Sequence, residues 1–127
     1  MNVVDSSAWL AYFAGEANAA YFATAIEDAD LLLVPSICIY EVFKVILRER
    51  GEDEALLLVA AMQRGKVVDL DGDLALEAAT IGTEEGLALA DSVIYATAKL
   101  NGATLWTQDS HFAGKPDVRF APKAKQA

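Results

Sequence analysis

One stretch of this sequence decides how the rest must fold: GLALADSVIYATAK, residues 86–99. Between Glu85 and Lys99 its only charged side chain is Asp91, and the residues that follow Asp91 are mostly apolar. This pattern predicts a helix that packs inward and ends at Asn101-Gly102. A carboxylate beside such a helix is costly to desolvate unless it is hydrogen-bonded, paired or bound to a cation. Asp91 is therefore either a helix cap or part of a site.

Length and composition indicate one globular domain. The chain has 127 residues, 54% of them hydrophobic, so we expect a single domain over residues 1–127, with a tail that frays after about residue 122. No apolar run reaches the roughly 18 residues of a membrane span, and no basic leader segment opens the chain. We therefore expect a cytoplasmic protein without membrane contact. The single cysteine, Cys38, excludes an internal disulfide framework.

The charge of the chain limits its partners. Its formal net charge is −9, and no basic residue precedes Lys44. Since phosphate affinity normally comes from Lys and Arg, this charge argues against a nucleic-acid binder unless metal ions supply positive charge at the site. A basic partner is the other inference that this charge allows.

Strand and helix patterns alternate along the chain, which predicts an α/β protein. We expect an α/β/α sandwich with a mostly parallel sheet of four or five strands and helices on both faces. The predicted strands cover residues 2–5, 31–34, 66–70, 103–107 and 118–120. The predicted helices cover residues 6–13, 17–29, 37–50, 52–64 and 73–85, followed by the helix of the opening stretch.

Four of the nineteen acidic residues stand in apolar surroundings: Asp5, Glu41, Asp91 and Asp109. Asp5 and Asp109 follow strands, and ligands of parallel sheets bind at the carboxyl ends of the strands. If the helices of Glu41 and Asp91 pack over that edge, four carboxylates converge. Two carboxylates about 4 Å apart repel by about 4 kcal/mol at an effective dielectric of about 20, so such a cluster takes up protons or binds divalent metal. Oxygen ligands favour Mg²⁺ or Mn²⁺ over zinc.

Each of these acids also has a purely structural interpretation, which the residues alone leave open. Asp91 can be an N-cap, Asp5 can cap the helix that starts at Ser6, and Asp109 can cap the turn after it. Glu41 shares a helix face with Lys44 and Arg48, which favours a surface ion pair. What distinguishes the four acids is their joint order along the chain.

That order resembles the PIN-domain family. The residues that carry the resemblance are VDSS at 4–7, IYEV at 39–42, LADSVIYATA at 89–98 and WTQD at 106–109, and the size is similar to that of VapC-type toxins. The resemblance implies an acidic quartet with Asp5 and Asp91 as the principal metal ligands, and ordering hydroxyls on Ser7 and Thr107. It also implies an endoribonuclease that depends on Mg²⁺ or Mn²⁺, a VapB-type antitoxin as inhibitor, and a homodimer. The quartet is Asp5, Glu41, Asp91 and Asp109.

Two other classes of function compete with this hypothesis. One is a receiver-like signalling domain with a phospho-acceptor aspartate, which has a similar length and also gathers acids at strand ends. The other is a PIN-like fold that only binds a partner. Outside the quartet, Lys44 and Arg48 are candidate RNA contacts. Trp9, Tyr12 and Phe13 are expected core residues beside a groove that can accept an antitoxin helix. The only histidine, His111, is expected to be structural.

Overall fold

The computed structural model describes residues 1–123, and within them it contains five strands and six helices. The strands are β1 (Asn2–Val4), β2 (Leu32–Pro35), β3 (Lys66–Val68), β4 (Thr104–Thr107) and β5 (Val118–Phe120). The helices are α1 (Ser6–Phe13), α2 (Ala19–Ile26), α3 (Ser36–Arg50), α4 (Glu52–Met62), α5 (Gly72–Glu85) and α6 (Leu89–Leu100). Short 3₁₀ turns follow α2 and β4, at Ala29–Leu31 and Ser110–Phe112. The tail predicted to fray lies mostly at 124–127, outside the described residues.

The sheet confirms the predicted α/β class. Its strand order is β3-β2-β1-β4-β5, and every pairing is parallel, with Val3 opposite Leu33 on one side and Leu105 on the other. The chain moves outward from β1 to β3, then crosses back to β4. Because parallel crossovers are right-handed, the helices before and after this reversal cover opposite faces, which gives the α/β/α sandwich.

The reversal of direction creates a switch point between β1 and β4, where α/β proteins bind ligands at the carboxyl ends of the strands. The strand order also makes the receiver-like hypothesis wrong. Receiver domains of the flavodoxin-like class have the order 2-1-3-4-5, whereas β1 here has β2 and β4 as neighbours.

Helix α6 is the buried helix that the opening stretch predicts. Every side chain from Ser92 to Ala98 is buried, and the hydroxyl of Thr97 donates to the Val93 carbonyl at 2.7 Å, so this buried polar group is satisfied. The helix begins at Leu89, with Ala88 as its cap residue. Asp91 therefore lies within the first helical turn, and its interpretation as an N-cap is wrong. None of the described helices has the length and apolarity to cross a membrane.

Other element boundaries shift for local reasons. Strand β3 stops at Val68 because Asp71 already caps α5, where its carboxylate accepts the Leu74 N–H at 2.9 Å. Gly51 ends α3, at a φ of 90° that a side chain would disfavour. Pro35 is the last residue of β2, so β2 runs directly into the helix that carries Glu41.

Candidate metal centre at the carboxyl edge of the sheet

Asp5 lies directly after the central strand β1, where its side chain is fixed by three donors. Its Oδ1 accepts the Ser7 hydroxyl at 2.8 Å and the Ala8 N–H at 3.0 Å, and its Oδ2 accepts the Thr107 hydroxyl at 2.5 Å. The side chain is buried. The Ala8 contact makes Asp5 the N-cap of α1, so the capping interpretation is confirmed, and it does not compete with a site role because the same carboxylate points into the edge of the sheet.

Burial strongly affects the ionisation of Asp5. Desolvation raises its pKa to about 6, although the hydrogen bonds from Thr107, Ala8 and Ser7 work in the opposite direction. The negative charge of Asp109 contributes a further increase in the pKa. A buried carboxylate that costs this much to ionise gains from a nearby cation.

Thr107, at the end of β4, connects two of the predicted acids. Its buried hydroxyl donates to Asp5 and accepts the backbone N–H of Asp109 at 2.9 Å. Asp109 in turn accepts the His111 backbone N–H at 2.9 Å and so caps the following 3₁₀ turn, as its structural interpretation expects. The register that places Val4 opposite Trp106 brings the residues after β1 and β4 side by side. Pairing of two strand ends therefore orders both Asp5 and Asp109.

Asp91 and Asp109 meet at the open side of this edge, together with His111. One ligand atom from each of these three residues lies within 4.8 Å of the others. The Nδ1 atom of His111 is 3.3 Å from Asp109 Oδ1 and 4.0 Å from Asp91 Oδ2. Partial burial raises the pKa of Asp91, and the negative charges of Asp109 and Glu41 raise it further. The cluster therefore concentrates negative charge in a place that solvent can reach.

Glu41 reaches the same edge from α3. Its Oε1 accepts the Ser6 hydroxyl at 2.6 Å, and its charge acts on Asp91. The surface ion pair expected from its helix face is not formed within residues 1–123. Lys44 instead lies over the Tyr40 ring at 5.6 Å, and Arg48 has Glu49 as its ion-pair partner at 3.9 Å. The structure thus brings the predicted acids to one edge and leaves Lys44 and Arg48 exposed beside it.

His111 lies in a position that the sequence does not indicate. Its side chain is 74% exposed and faces the two carboxylates, so it has no structural role in the core. The available signal was its position two residues after Asp109, in a turn that returns the chain to the edge of the sheet. The other expected core residues behave differently: Trp9 is buried, whereas Tyr12 and Phe13 are half-buried against the core.

Two cavities adjoin this region, and a third lies farther away. One of about 260 Å³ is lined by Asp91, His111 and the loop before α6. A second, of about 330 Å³, lies between α1 and α3 and includes Ser7 and Phe13. A third, of about 400 Å³, is mostly apolar and lies between α5 and α6, away from the carboxylates. The first cavity lies beside Asp91, and the second contains Ser7, whose hydroxyl donates to Asp5.

The donor set fits a divalent cation. Carboxylate oxygens that repel one another and carry raised pKa values are relieved by a cation, and oxygen donors suit Mg²⁺ and Mn²⁺. Asp91 and Asp109 each offer an oxygen within 4.8 Å of the other and of His111. Both oxygens of Asp5 already accept hydrogen bonds, so its carboxylate is less accessible to a cation than those of Asp91 and Asp109.

A parallel sheet with an acidic cluster at its switch point defines an α/β protein of the class that binds ligands at the carboxyl ends of its strands. Comparison with known families identifies the particular fold: the family described as PIN domain matches residues 3–117. The chain belongs to the PIN-domain family, as its motifs predict. No protein in the comparison with curated sequences matches.

Solved structures with the same fold include proteins of toxin–antitoxin pairs. A toxin–antitoxin complex from Klebsiella pneumoniae aligns with a TM-score of 0.78 and 23% identity, covering 94% of this chain and 96% of that chain. VapC20 of Mycobacterium tuberculosis, described as a toxin that cleaves the sarcin-ricin loop, aligns with a TM-score of 0.74 and 20% identity, covering 94% and 99%. FitAcB from Neisseria gonorrhoeae gives a TM-score of 0.62 and 26% identity, covering 96% and 98%.

Proposed function

We propose that this chain is a single PIN-like domain that acts as a metal-dependent endoribonuclease toxin and hydrolyses RNA phosphodiesters under the control of an antitoxin. One observation carries the proposal: Thr107 ties Asp5 to Asp109 at the switch point of a PIN fold, where Asp109 also meets Asp91. The resemblance of the motifs and the structural similarity to VapC20 support the same conclusion.

The four acids have different tasks in this proposal. Asp91 and Asp109 hold the cation with their closely spaced oxygens, and Glu41, fixed by Ser6, adds negative charge from α3. Asp5 supports them from the buried side, where Ser7 and Thr107 prevent its rotation. A bound Mg²⁺ or Mn²⁺ ion supplies Lewis acidity, which activates water at neutral pH and offsets charge on the phosphodiester.

RNA must approach a protein whose net charge is −9. A cation among the carboxylates reverses the local charge, and Lys44 and Arg48 on the exposed face of α3 can contact phosphates flanking the scissile one. Tyr40 is 61% exposed one residue before Glu41, and its ring offers a stacking surface for an unpaired base. Cleavage within single-stranded or looped RNA therefore suits this surface better than cleavage of a regular duplex.

The test is cleavage of total RNA by purified protein with Mg²⁺ or Mn²⁺, and with EDTA. Asp91→Asn keeps the shape of the side chain but removes its charge, and we expect it to lower the cleavage rate by at least about 100-fold, the scale of losing one electrostatic contact at a reacting centre. The matched control is Asp53→Asn, which removes an equal charge from the exposed first turn of α4. Cleavage that survives EDTA, or equal activity of the two variants, would overturn the proposal. Absence of both cleavage and Mn²⁺ binding would leave the PIN-like binding module as the function.

The partner that we propose is a VapB-type antitoxin bound to a homodimer of this chain. Solved complexes with the same fold include VapBC from Salmonella typhimurium, with DNA bound. The cavity between α1 and α3 offers the apolar side chains Leu10, Phe13 and Ile46 next to Ser7, together with Arg50 at its rim. An amphipathic antitoxin helix seated there would cover the approach to Asp5.

The antitoxin proposal is tested with the small protein encoded by the neighbouring reading frame. We expect it to co-purify with this chain and to stop RNA cleavage, and Phe13→Asp should weaken both effects while basal cleavage continues. Inhibition that is unchanged in Phe13→Asp would place the antitoxin elsewhere.

A further inference from the structure

His111 is the one imidazole of the chain, and the fold carries it to the carboxylates. It follows Asp109 in the 3₁₀ turn after β4, and its backbone N–H is held by the Asp109 carboxylate at 2.9 Å. This bond fixes the turn, so that the ring stands over the gap between Asp91 and Asp109. The side chain is 74% exposed, and solvent reaches it freely.

The spacing of the three side chains fits a shared cation. In an octahedral site with ligand distances of about 2.1 Å, neighbouring ligand atoms are about 3 Å apart and opposite ones about 4.2 Å apart. The Nδ1 atom of His111 is 3.3 Å from one carboxylate oxygen and 4.0 Å from the other, which lies within this range. An ion pair between His111 and Asp109 would explain the 3.3 Å distance. Such a pair does not require the Asp91 carboxylate to lie near the same nitrogen.

We propose that His111 is a direct nitrogen ligand of the metal centre and that it makes the centre select Mn²⁺ over Mg²⁺. This inference rests on the metal centre of the proposed function. Imidazole binds first-row transition metals well, whereas Mg²⁺ prefers oxygen donors and retains its waters. Replacing one oxygen position by nitrogen therefore favours Mn²⁺ without excluding Mg²⁺. The all-oxygen quartet alone provides no such preference.

The experiment uses the full chain without an affinity tag, loaded with Mn²⁺ alone. Electron spin-echo envelope modulation of bound Mn²⁺ detects a directly coordinated ¹⁴N nucleus. Because the chain contains one histidine, an imidazole signal can come only from His111. We expect the ¹⁴N modulation in the wild-type protein, its loss in His111→Gln, and its retention in Ser110→Ala, an exposed neighbour in the same turn.

Calorimetric titration then measures selectivity. We expect His111→Gln to weaken Mn²⁺ binding by at least about tenfold, within the range seen when support of a metal site is removed, and to change Mg²⁺ binding less than about twofold. Circular dichroism should show an unchanged fold, since substitutions of exposed side chains rarely affect stability by more than about 0.5 kcal/mol.

Several results would overturn the inference. Mn²⁺ that binds without ¹⁴N modulation, modulation that persists in His111→Gln, parallel losses of Mn²⁺ and Mg²⁺ affinity, or no Mn²⁺ binding at all would each do so. The nuclease proposal fails in a different way: a nitrogen-ligated Mn²⁺ centre that does not cleave RNA would support the role of His111 and contradict the ribonuclease. RNA cleavage without ¹⁴N modulation would support the ribonuclease and contradict the role of His111.

Discussion

The candidate metal centre has two halves that are built on opposite principles. The buried half consists of Asp5, Ser7 and Thr107, and hydrogen bonds occupy both oxygens of the Asp5 carboxylate. The open half consists of Asp91, Asp109 and His111, whose ligand atoms face solvent at distances that a cation can bridge. In the buried half, hydrogen bonds fix the Asp5 carboxylate, but burial makes its negative charge unfavourable. In the open half, solvent and ions can reach the side chains. The comparison shows that acids in one centre need not be equivalent ligands.

The largest expected effect concerns the charge of Asp5 in the metal-free protein. Its folded pKa of about 6 lies above the unfolded value of 3.8, so the folded state holds the proton more tightly between these values. Stability from this group is therefore fully present below pH 3.8 and is lost as pH rises through about 6, by about 3 kcal/mol. We measure the free energy of unfolding of Asp5→Asn minus that of wild type, both in EDTA. We expect this difference to be about 3 kcal/mol more favourable to the variant at pH 7.5 than at pH 3.

Urea unfolding at the two pH values measures this difference, and Asp53→Asn serves as the control because its carboxylate is exposed. If Asp5→Asn and wild type differ by the same amount at both pH values, then Asp5 is ionised as easily as a surface acid, and the distinction between the two halves disappears.

The second effect is stabilisation by metal, which should depend on the open half. At a free Mn²⁺ concentration 100 times the dissociation constant, the folded state should gain about 2.7 kcal/mol. Asp91→Asn should abolish the gain in a thermal unfolding experiment with and without Mn²⁺. Asp53→Asn should retain it. A variant at Asp91 that is still stabilised in full would mean that the cation lies within the buried half.

The third and smallest effect measures the link between the halves. Thr107→Val keeps the volume but leaves Asp5 Oδ2 without its donor and the Asp109 N–H without its acceptor. We expect a loss of about 1–3 kcal/mol in the free energy of unfolding and a cleavage rate lowered by about 10–100-fold. Thr107→Ser retains the hydroxyl and should keep most of the activity. Equal losses in the two variants would assign the effect to packing of the methyl group.

The sequence predicts the features that depend on neighbouring residues. Apolar runs mark the strands, so the positions of Asp5 and Asp109 at strand ends follow directly, and the α/β class follows from the alternation of strands and helices. The motifs around Asp91 and Thr107 identify the family. That level of prediction covers the architecture and the choice of acids.

What the sequence does not predict depends on contacts between distant segments. The Ser6 hydroxyl reaches Glu41 across 35 positions, a pairing that no local pattern encodes. The start of α6 at Leu89 has no side-chain cap to mark it, which is why the sequence leaves the N-cap interpretation of Asp91 open. The exposure of the His111 side chain is not predictable from the sequence because it depends on how the turn after β4 is placed against α6.

The pairing of β1 with β4 also determines when the centre can exist. Asp5 and Thr107 are 102 positions apart, and their strands are adjacent in the centre of the sheet. During synthesis β1 emerges first and can pair early with β2, but its other neighbour, β4, emerges only about 100 residues later. A contact of such long sequence separation forms late in folding as well. A nascent or truncated chain that lacks β4 therefore has no assembled centre, so the chemistry of this centre can begin only after β4 has been translated.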